Sequence, residues 1–184
     1  MEKFTKKPDF LTKYEVIISD YLKSSVLSYN GNISKYINNY FGWDNKKRHS
    51  YKGKAFRPAM CITLCDSLSG DIGAALPCSI SVELVHNFSL IHDDIEDNDK
   101  LRRHQPTLWT IWGIPKALIT GNSILVLGNQ KLEKLLDYGI SKQKLFLSQK
   151  LLTESYLKMM EGQFLDISFE KKSKISKGEY LKMI

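Results

Sequence analysis

The chain has 184 residues, 26% of them charged and 42% hydrophobic, which suits one folded domain and excludes a disordered segment. Its net charge of +7 is spread along the sequence beside a strong acidic cluster, so we expect no nucleic-acid partner. The N-terminus lacks an apolar signal-peptide core, and no apolar run approaches the ~20 residues that span a bilayer. Three cysteines without framework spacing indicate free thiols, so the expected location is cytoplasmic.

Almost every predicted element is a helix. Apolar residues recur with helical spacing in the segments 10–29, 34–41, 58–70, 74–97, 106–139 and 141–170. The fifth of these segments is interrupted by Gly and Pro. A last helix begins after Ser176, where Glu179 has the spacing of a capping box. No alternating apolar pattern predicts a strand of convincing length, so the fold class is all-α.

The segment HDDIEDNDKLRRH, residues 92–104, follows the most apolar helix and places carboxylates ahead of cations. On a helix of 3.6 residues per turn, His86, Asp93 and Asp97 lie within about 40° of one another. Asp94 lies beside them. At ~6 Å and an effective dielectric of ~20, each carboxylate pair repels by roughly 3 kcal/mol. A hard divalent cation such as Mg²⁺ reverses that repulsion and leaves coordination positions for a diphosphate.

The neighbouring cations also suit an anionic substrate. Arg102 and Arg103 carry planar guanidinium groups that bind phosphate in a bidentate manner. Lys54 and Arg57 lie at a loop-to-helix junction, where free backbone N–H groups attract anions. The alternative is a solvated surface, in which acids pair with the cations that follow them. We interpret the two groups as halves of one diphosphate site that do not neutralise each other.

These motifs resemble those of the trans-prenyltransferases, or polyprenyl diphosphate synthases. GKAFRP (53–58) resembles the GKxxRP loop, HDDIEDNDKLRR (92–103) resembles the DDxxD motif with its arginine pair, and GQFLD (162–166) resembles GQxxD. The residues of these motifs are most similar to those of short-chain geranylgeranyl diphosphate synthases. The resemblance implies an orthogonal helical bundle of the isoprenoid synthase type, incomplete at its C-terminal end, with residues 1–184 forming a single partial domain.

The resemblance also implies an activity, the Mg²⁺-dependent head-to-tail condensation of isopentenyl diphosphate with an allylic diphosphate. By matching position, Asp93 and Asp97 would bind Mg²⁺ and Asp94 would support them in catalysis. Arg102 would bind the allylic diphosphate. The residues expected to bind isopentenyl diphosphate are Lys54, Arg57, His86 and Arg103. For His86, a satisfied core histidine is the alternative.

Further positions follow from the same resemblance. Gln163 and Asp166 would line the cavity near the metal, although ordinary polar surface is the alternative for both. Product length would depend on Phe88 and Ser89, and a small Ser89 one turn below the first aspartate favours a geranylgeranyl product. His104 departs from the family pattern, which has Gly there, and histidine tolerates a positive φ better than most residues.

The family's second aspartate-rich motif is absent from these 184 residues, so we expect them to turn over negligibly by themselves. A non-catalytic subunit of a heteromeric prenyl synthase and a terpene cyclase are the alternatives. An HD-type phosphohydrolase needs dispersed histidines that His49, His86, His92 and His104 do not supply. The resemblance suggests a homodimer, or a heteromer with another prenyl synthase subunit.

Overall fold

The structure is a computed structural model that describes residues 8–43, 53, 55–68, 70–170 and 172–184. The chain divides into two compact units, one ending at Leu145 and one running from Phe146 to Ile184. The prediction of one partial domain stays a prediction. The described residues are predominantly helical, as the hydrophobic spacing predicted.

The helices of the first unit follow the predicted order. They are α1 (Asp9–Lys13), α2 (Glu15–Leu27), α3 (Ser34–Phe41), α4 (Phe56–Leu68), α5 (Ile72–Glu96), α6 (Leu108–Trp112) and α7 (Ile114–Lys131). A 3₁₀ segment follows at Leu132–Tyr138. Helix α8 (Lys142–Phe169) continues into the second unit, which also contains α9 (Lys177–Met183).

One prediction of secondary structure was wrong, and one short element was not predicted. The single helix expected over 10–29 is interrupted at Tyr14, whose φ of −113° and ψ of 6° are not helical. Tyr14 is buried there, and its hydroxyl donates to Asp66 of α4, so a tertiary contact accompanies the break. A short antiparallel ladder, β1 (Leu101–Arg102) with β2 (Gln105–Pro106), was not expected from the hydrophobic pattern.

Helix α5 is the centre of the first unit. It contacts α2, α4, α6, α7 and the 3₁₀ segment, and it buries Ile80, Leu84 and Ile91. The Asp71 side chain caps its start by accepting from the Ala74 N–H at 3.1 Å. These contacts make α5 the support on which the candidate site is built.

The length and composition of α5 also meet the criteria for a membrane span, contrary to the expectation that no apolar run was long enough. It is the one such helix in the part of the chain that the structure describes. However, 67% of its apolar window is buried within the protein. That burial is the pattern of a core helix.

Small residues allow α5 and α7 to approach closely. A Cβ at Gly128 of α7 would lie 3.2 Å from the Cβ of Leu84 and 3.3 Å from the carbonyl oxygen of Ser81. The Ser81 hydroxyl donates to the Gly128 carbonyl at 2.7 Å, so the same approach satisfies a buried polar group. Gly121, two turns earlier, lies against the imidazole of His92.

In the second unit, α9 begins with the predicted capping box. The Ser176 hydroxyl accepts from the Glu179 N–H at 3.2 Å, and the Glu179 carboxylate accepts from the Ser176 N–H at 2.9 Å. Gly162 of α8 lies where the end of α9 approaches, because a Cβ there would collide with the Met183 carbonyl oxygen. The glycine of GQFLD therefore has a packing role within this unit.

Candidate functional site

The acidic segment closes the C-terminal end of α5. Asn98 adopts a left-handed φ of 57°, and the Asp99 N–H donates back to the Asp94 carbonyl at 2.9 Å. Together with the Asn98 N–H bond to the Ile95 carbonyl at 3.3 Å, this is the hydrogen-bond pattern of a Schellman motif. Asparagine tolerates the left-handed region well, which explains its place in the sequence. The chain therefore reverses immediately after the last turn of α5.

The reversed chain forms the short β1–β2 hairpin. Its two-residue turn consists of Arg103 (φ 51°) and His104 (φ 64°), which have the positive φ values of a type I′ turn. The positive φ considered for His104 from the sequence is therefore confirmed. Beneath the hairpin, the Thr107 hydroxyl and the Trp109 indole N–H both donate to the Asp99 carbonyl at 2.8 Å. These contacts hold the hairpin next to α5.

Arg102 lies between two of the aspartates. Its Nε donates to Oδ1 of Asp94 at 2.5 Å, and its Nη2 donates to Oδ2 of Asp93 at 2.6 Å. The interpretation that the acids and bases do not neutralise each other was therefore wrong for Arg102, which pairs with both carboxylates. The hairpin explains this pairing, because it turns the chain back and places Arg102 against the last turns of α5.

The two paired aspartates have different surroundings. The Asp94 side chain is 4% exposed, whereas that of Asp93 is 33% exposed. Burial raises the pKa of the Asp94 carboxyl above its usual value, the charges of Asp93 and Asp99 add to that effect, and Arg102 opposes it. Asp94 is thus part of the protein interior, while Asp93 faces outward.

Asp93 and Asp97 share the outward face, as the helical spacing predicted. The Asp97 N–H donates to the Asp93 carbonyl at 2.9 Å, so the two residues are one helical turn apart. Carboxylate oxygens are the ligands that Mg²⁺ prefers, so the donor set fits that ion. Within the described ranges, no cluster of three or more His, Cys, Asp or Glu could hold a metal by itself. The arrangement suits a cation whose shell is completed by water and phosphate oxygens.

Four of the predicted substrate-binding residues come together beside this face. His86 of α5 has its pKa lowered to about 4 by burial and by the positive charges of Arg57, Arg103 and Arg102, while Asp93 acts in the opposite direction. The electrostatic effects show that α4 and the hairpin each bring positive charge near His86 of α5. His86 is therefore neutral at pH 7, and it lies in a positively charged environment that would attract an anion.

The remaining predicted residues have varied positions. Lys54 lies outside the described residues. Ser89 is half-buried, with its hydroxyl donating to the His86 carbonyl at 2.8 Å. Phe88 is buried, and its ring centroid is 4.6 Å from that of His92. Gln163 is half-buried and Asp166 is exposed, and both belong to the second unit.

A buried network of polar side chains next to His86 was not predicted from the sequence. Asn87 is fully buried, and its amide donates to the Glu83 carbonyl at 2.7 Å. The Tyr40 hydroxyl donates to the Asn87 side-chain oxygen at 2.9 Å, which ties α3 to α5. The available signal was a Glu and an Asn four residues apart in an otherwise apolar helix.

Comparison with known proteins identifies the family. A sequence model of the family described as polyprenyl synthetase matches residues 46–184. The chain belongs to this family. It is 35% identical over 150 residues to the (2E,6E)-farnesyl diphosphate synthase of Mycobacterium tuberculosis, covering 80% of this chain and 40% of that protein. It is also 35% identical over 132 residues to the geranylgeranyl diphosphate synthase of Methanosarcina mazei, covering 72% and 40%.

Solved structures of polyprenyl synthetases have the same fold. The geranylgeranyl pyrophosphate synthetase of the archaeon Geoglobus acetivorans matches with a TM-score of 0.85 and 25% identity, covering 96% of this chain and 54% of that one. The polyprenyl synthetase of Streptomyces coelicolor matches with a TM-score of 0.83 and 29% identity, covering 95% and 51%. The family predicted from the motifs and the all-α fold class predicted from the hydrophobic spacing are confirmed. The chain spans about 40% of the length of the two curated relatives described above.

Proposed function

We propose that this chain forms the first aspartate-rich wall of a prenyl diphosphate synthase site. The whole protein would condense isopentenyl diphosphate with an allylic diphosphate. The supporting observation is that Arg57, His86 and Arg103 come together beside the face that carries Asp93 and Asp97. A surface charge patch would not require cations from two separate elements, α4 and the hairpin, to lie near one half-buried histidine.

The proposed reaction breaks the C–O bond of the allylic diphosphate, forms a C–C bond to isopentenyl diphosphate, and releases diphosphate and a proton. When bound by Asp93 and Asp97, Mg²⁺ would withdraw electrons from the departing diphosphate. Arg102 would bind the allylic diphosphate through charge-assisted hydrogen bonds. Arg57 and Arg103 would bind the diphosphate of the second substrate, and neutral His86 would donate one hydrogen bond to it.

The other predicted roles belong to this proposal. Lys54 would add a further cation for isopentenyl diphosphate. Gln163 and Asp166 would line the cavity. The half-buried Ser89 on the turn below Asp93 would leave room for a geranylgeranyl chain, and Phe88 would limit length from within the core. Two of the similar proteins carry the names farnesyl and geranylgeranyl diphosphate synthase, which supports short-chain products.

The assembly and setting of the protein are proposals of the same kind. We expect a homodimer, or a heteromer with another prenyl synthase subunit, in the cytoplasm. We expect negligible turnover by the 184 residues alone. An incubation with radiolabelled isopentenyl diphosphate, an allylic diphosphate and Mg²⁺ tests this, and clear prenyl transfer would refute the last expectation.

Equilibrium dialysis tests the proposed function itself. Labelled isopentenyl diphosphate should bind the chain, and Arg57→Gln should weaken that binding about tenfold, as loss of a charge-assisted contact implies. Lys23→Gln removes an exposed cation elsewhere and should have no effect. Equal binding by the Arg57 variant would contradict the proposal. Binding of allylic diphosphate without any binding of isopentenyl diphosphate would favour a terpene cyclase.

A further inference from the structure

Arg102 makes two contacts of unequal character. Its Nε meets Asp94, which is 4% exposed, and its Nη2 meets Asp93, which is 33% exposed. The Arg102 side chain itself is 28% exposed. The contact with Asp94 is thus shielded from water, whereas the contact with Asp93 lies at the protein surface, where competing ions and water reach it.

Asp94 is poorly placed to bind a metal ion. Its backbone carbonyl is fixed in the Schellman motif, and its carboxylate is buried on Arg102. A shift toward the outward face would remove the buried carboxylate from its partner, which is costly for a desolvated charge. Asp93 shares the outward face with Asp97, and its contact with Arg102 lies at the surface, where it costs less to break than the buried contact of Asp94.

We propose that Asp94 is a positioning residue that holds Arg102 through Nε, and that Arg102 is a displaceable counter-ion of Asp93. In this arrangement the Arg102 guanidinium pairs with the Asp93 carboxylate, which a divalent cation would also need as a ligand. Cation binding must therefore release Nη2 from Asp93, while Nε stays on Asp94. This inference rests on the proposed diphosphate site.

The arrangement couples the binding of cation and diphosphate. Once Nη2 leaves Asp93, the Nη end of the guanidinium can donate to a diphosphate, since guanidinium forks match phosphate oxygens. A diphosphate therefore favours release of Asp93, and by linkage the cation strengthens diphosphate binding by the same factor. Without diphosphate, Arg102 lowers the affinity of Asp93 and Asp97 for the cation. Arg102 thus disfavours the binding of a metal ion when no diphosphate is present.

The experiment measures Mn²⁺ binding to the purified 184-residue chain by electron paramagnetic resonance, first without and then with inorganic diphosphate. Mn²⁺ takes the same oxygen ligands as Mg²⁺. Without diphosphate, Arg102→Gln should raise the Mn²⁺ affinity about tenfold, because a positive charge next to the ion is removed. Lys100→Gln removes an exposed cation two residues away and should change the affinity less than about twofold.

The coupling gives a second readout that a merely structural role would not move. In the unsubstituted chain, inorganic diphosphate should raise the Mn²⁺ affinity, and Arg102→Gln should reduce that gain about fivefold or more. Asp94→Asn should weaken Mn²⁺ binding less than about threefold. It should, however, reduce the increase in Mn²⁺ affinity that diphosphate causes, as Arg102→Gln does. Asp99→Asn is the matched control, because it removes an exposed acid from the same segment.

Failures of the two proposals are distinguishable. If Asp93→Asn and Asp97→Asn abolish Mn²⁺ binding but Arg102→Gln leaves it unchanged or weaker, the counter-ion proposal is wrong and the metal site stands. If Asp94→Asn abolishes Mn²⁺ binding as fully as Asp97→Asn, then Asp94 is a ligand and the positioning role is wrong. If none of the aspartate variants alters Mn²⁺ binding, the proposed function fails as well. Circular dichroism confirms folding, and the Arg102 variant keeps the test decisive if Asp94→Asn does not fold.

Discussion

The packing of α7 on α5 beside the candidate site can be tested by Gly121→Ala. A Cβ at Gly121 would lie 2.7 Å from Cδ2 and 2.8 Å from Nε2 of His92, closer than a side-chain carbon can approach. His92 has little room to move, because its ring lies against Phe88 at a centroid distance of 4.6 Å. The imidazole Nε2 is buried and has no hydrogen-bond partner among the described residues, so the ring is held by packing on that side.

Two opposing effects set the magnitude. Replacing Gly by Ala inside a helix favours folding by about 1 kcal/mol. Overpacking a tight interface disfavours folding by about 1–3 kcal/mol, and a contact as short as 2.7 Å belongs at the upper end. We therefore expect Gly121→Ala to lower the free energy of unfolding by about 2 kcal/mol. Gly178→Ala in α9 has nothing within 4 Å of the new Cβ, so it should be neutral or slightly stabilising.

Urea denaturation followed by circular dichroism measures both variants. A double variant of Gly121→Ala with His92→Ala gives the coupling energy, because the smaller side chain removes the obstacle. The double variant should be at least about 1 kcal/mol more stable than the sum of the single effects predicts. If Gly121→Ala is as stable as the unsubstituted chain, or if the effects simply add, α5 and α7 do not meet at His92 as described.

His104→Gly should raise the free energy of unfolding by about 0.5 kcal/mol, because glycine adopts the positive φ of the hairpin turn without a Cβ penalty. Part of that gain is lost, because glycine has more conformational entropy in the unfolded chain. A lower urea midpoint would count against the turn. Burial lowers the pKa of His86 to about 4, so below pH 6.5 the unfolded chain binds more protons than the folded chain. The free energy of unfolding should therefore decrease as the pH is lowered from about 6.5 to about 4, and this decrease should be smaller in His86→Gln. An identical pH profile would contradict this. Ser176→Ala should cost about 1 kcal/mol in α9, detected as faster amide hydrogen exchange there; unchanged exchange would argue against the capping box. Ser89→Phe should shorten the products of the whole enzyme, and unaltered products would refute the length role.

Local signals in the sequence predicted most of the fold. Helix α3 has the bounds expected from its apolar spacing, and α5 starts and ends within two residues of the predicted segment 74–97. The capping box at Ser176 was visible because both of its members lie within one turn. Asp93 and Asp97 were placed on one face because a helix of 3.6 residues per turn requires it.

The missed features depend on contacts between distant parts of the chain. The break at Tyr14 accompanies its bond to Asp66, 52 residues away, and no local pattern announces it. The hairpin turn consists of Arg103 and His104; a positive φ was considered for His104 alone, and neither residue is a typical hairpin-turn residue, so turn chemistry did not predict the hairpin. Once the hairpin forms, the pairing of Arg102 with Asp93 and Asp94 follows from its geometry. Charge alone could not distinguish that pairing from two separate halves of a site.

Isothermal titration calorimetry of the chain with inorganic diphosphate tests the central claim most directly, namely that Asp93 and Asp97 hold a divalent cation to which diphosphate binds. We predict binding in the presence of Mg²⁺, loss of binding with a chelator, and affinity at least about tenfold weaker in Asp97→Asn, as loss of a metal ligand implies. Asp20→Asn, which removes an exposed acid elsewhere, should bind as the unsubstituted chain does. Diphosphate binding that is equally strong without Mg²⁺, or unchanged in Asp97→Asn, would contradict the account.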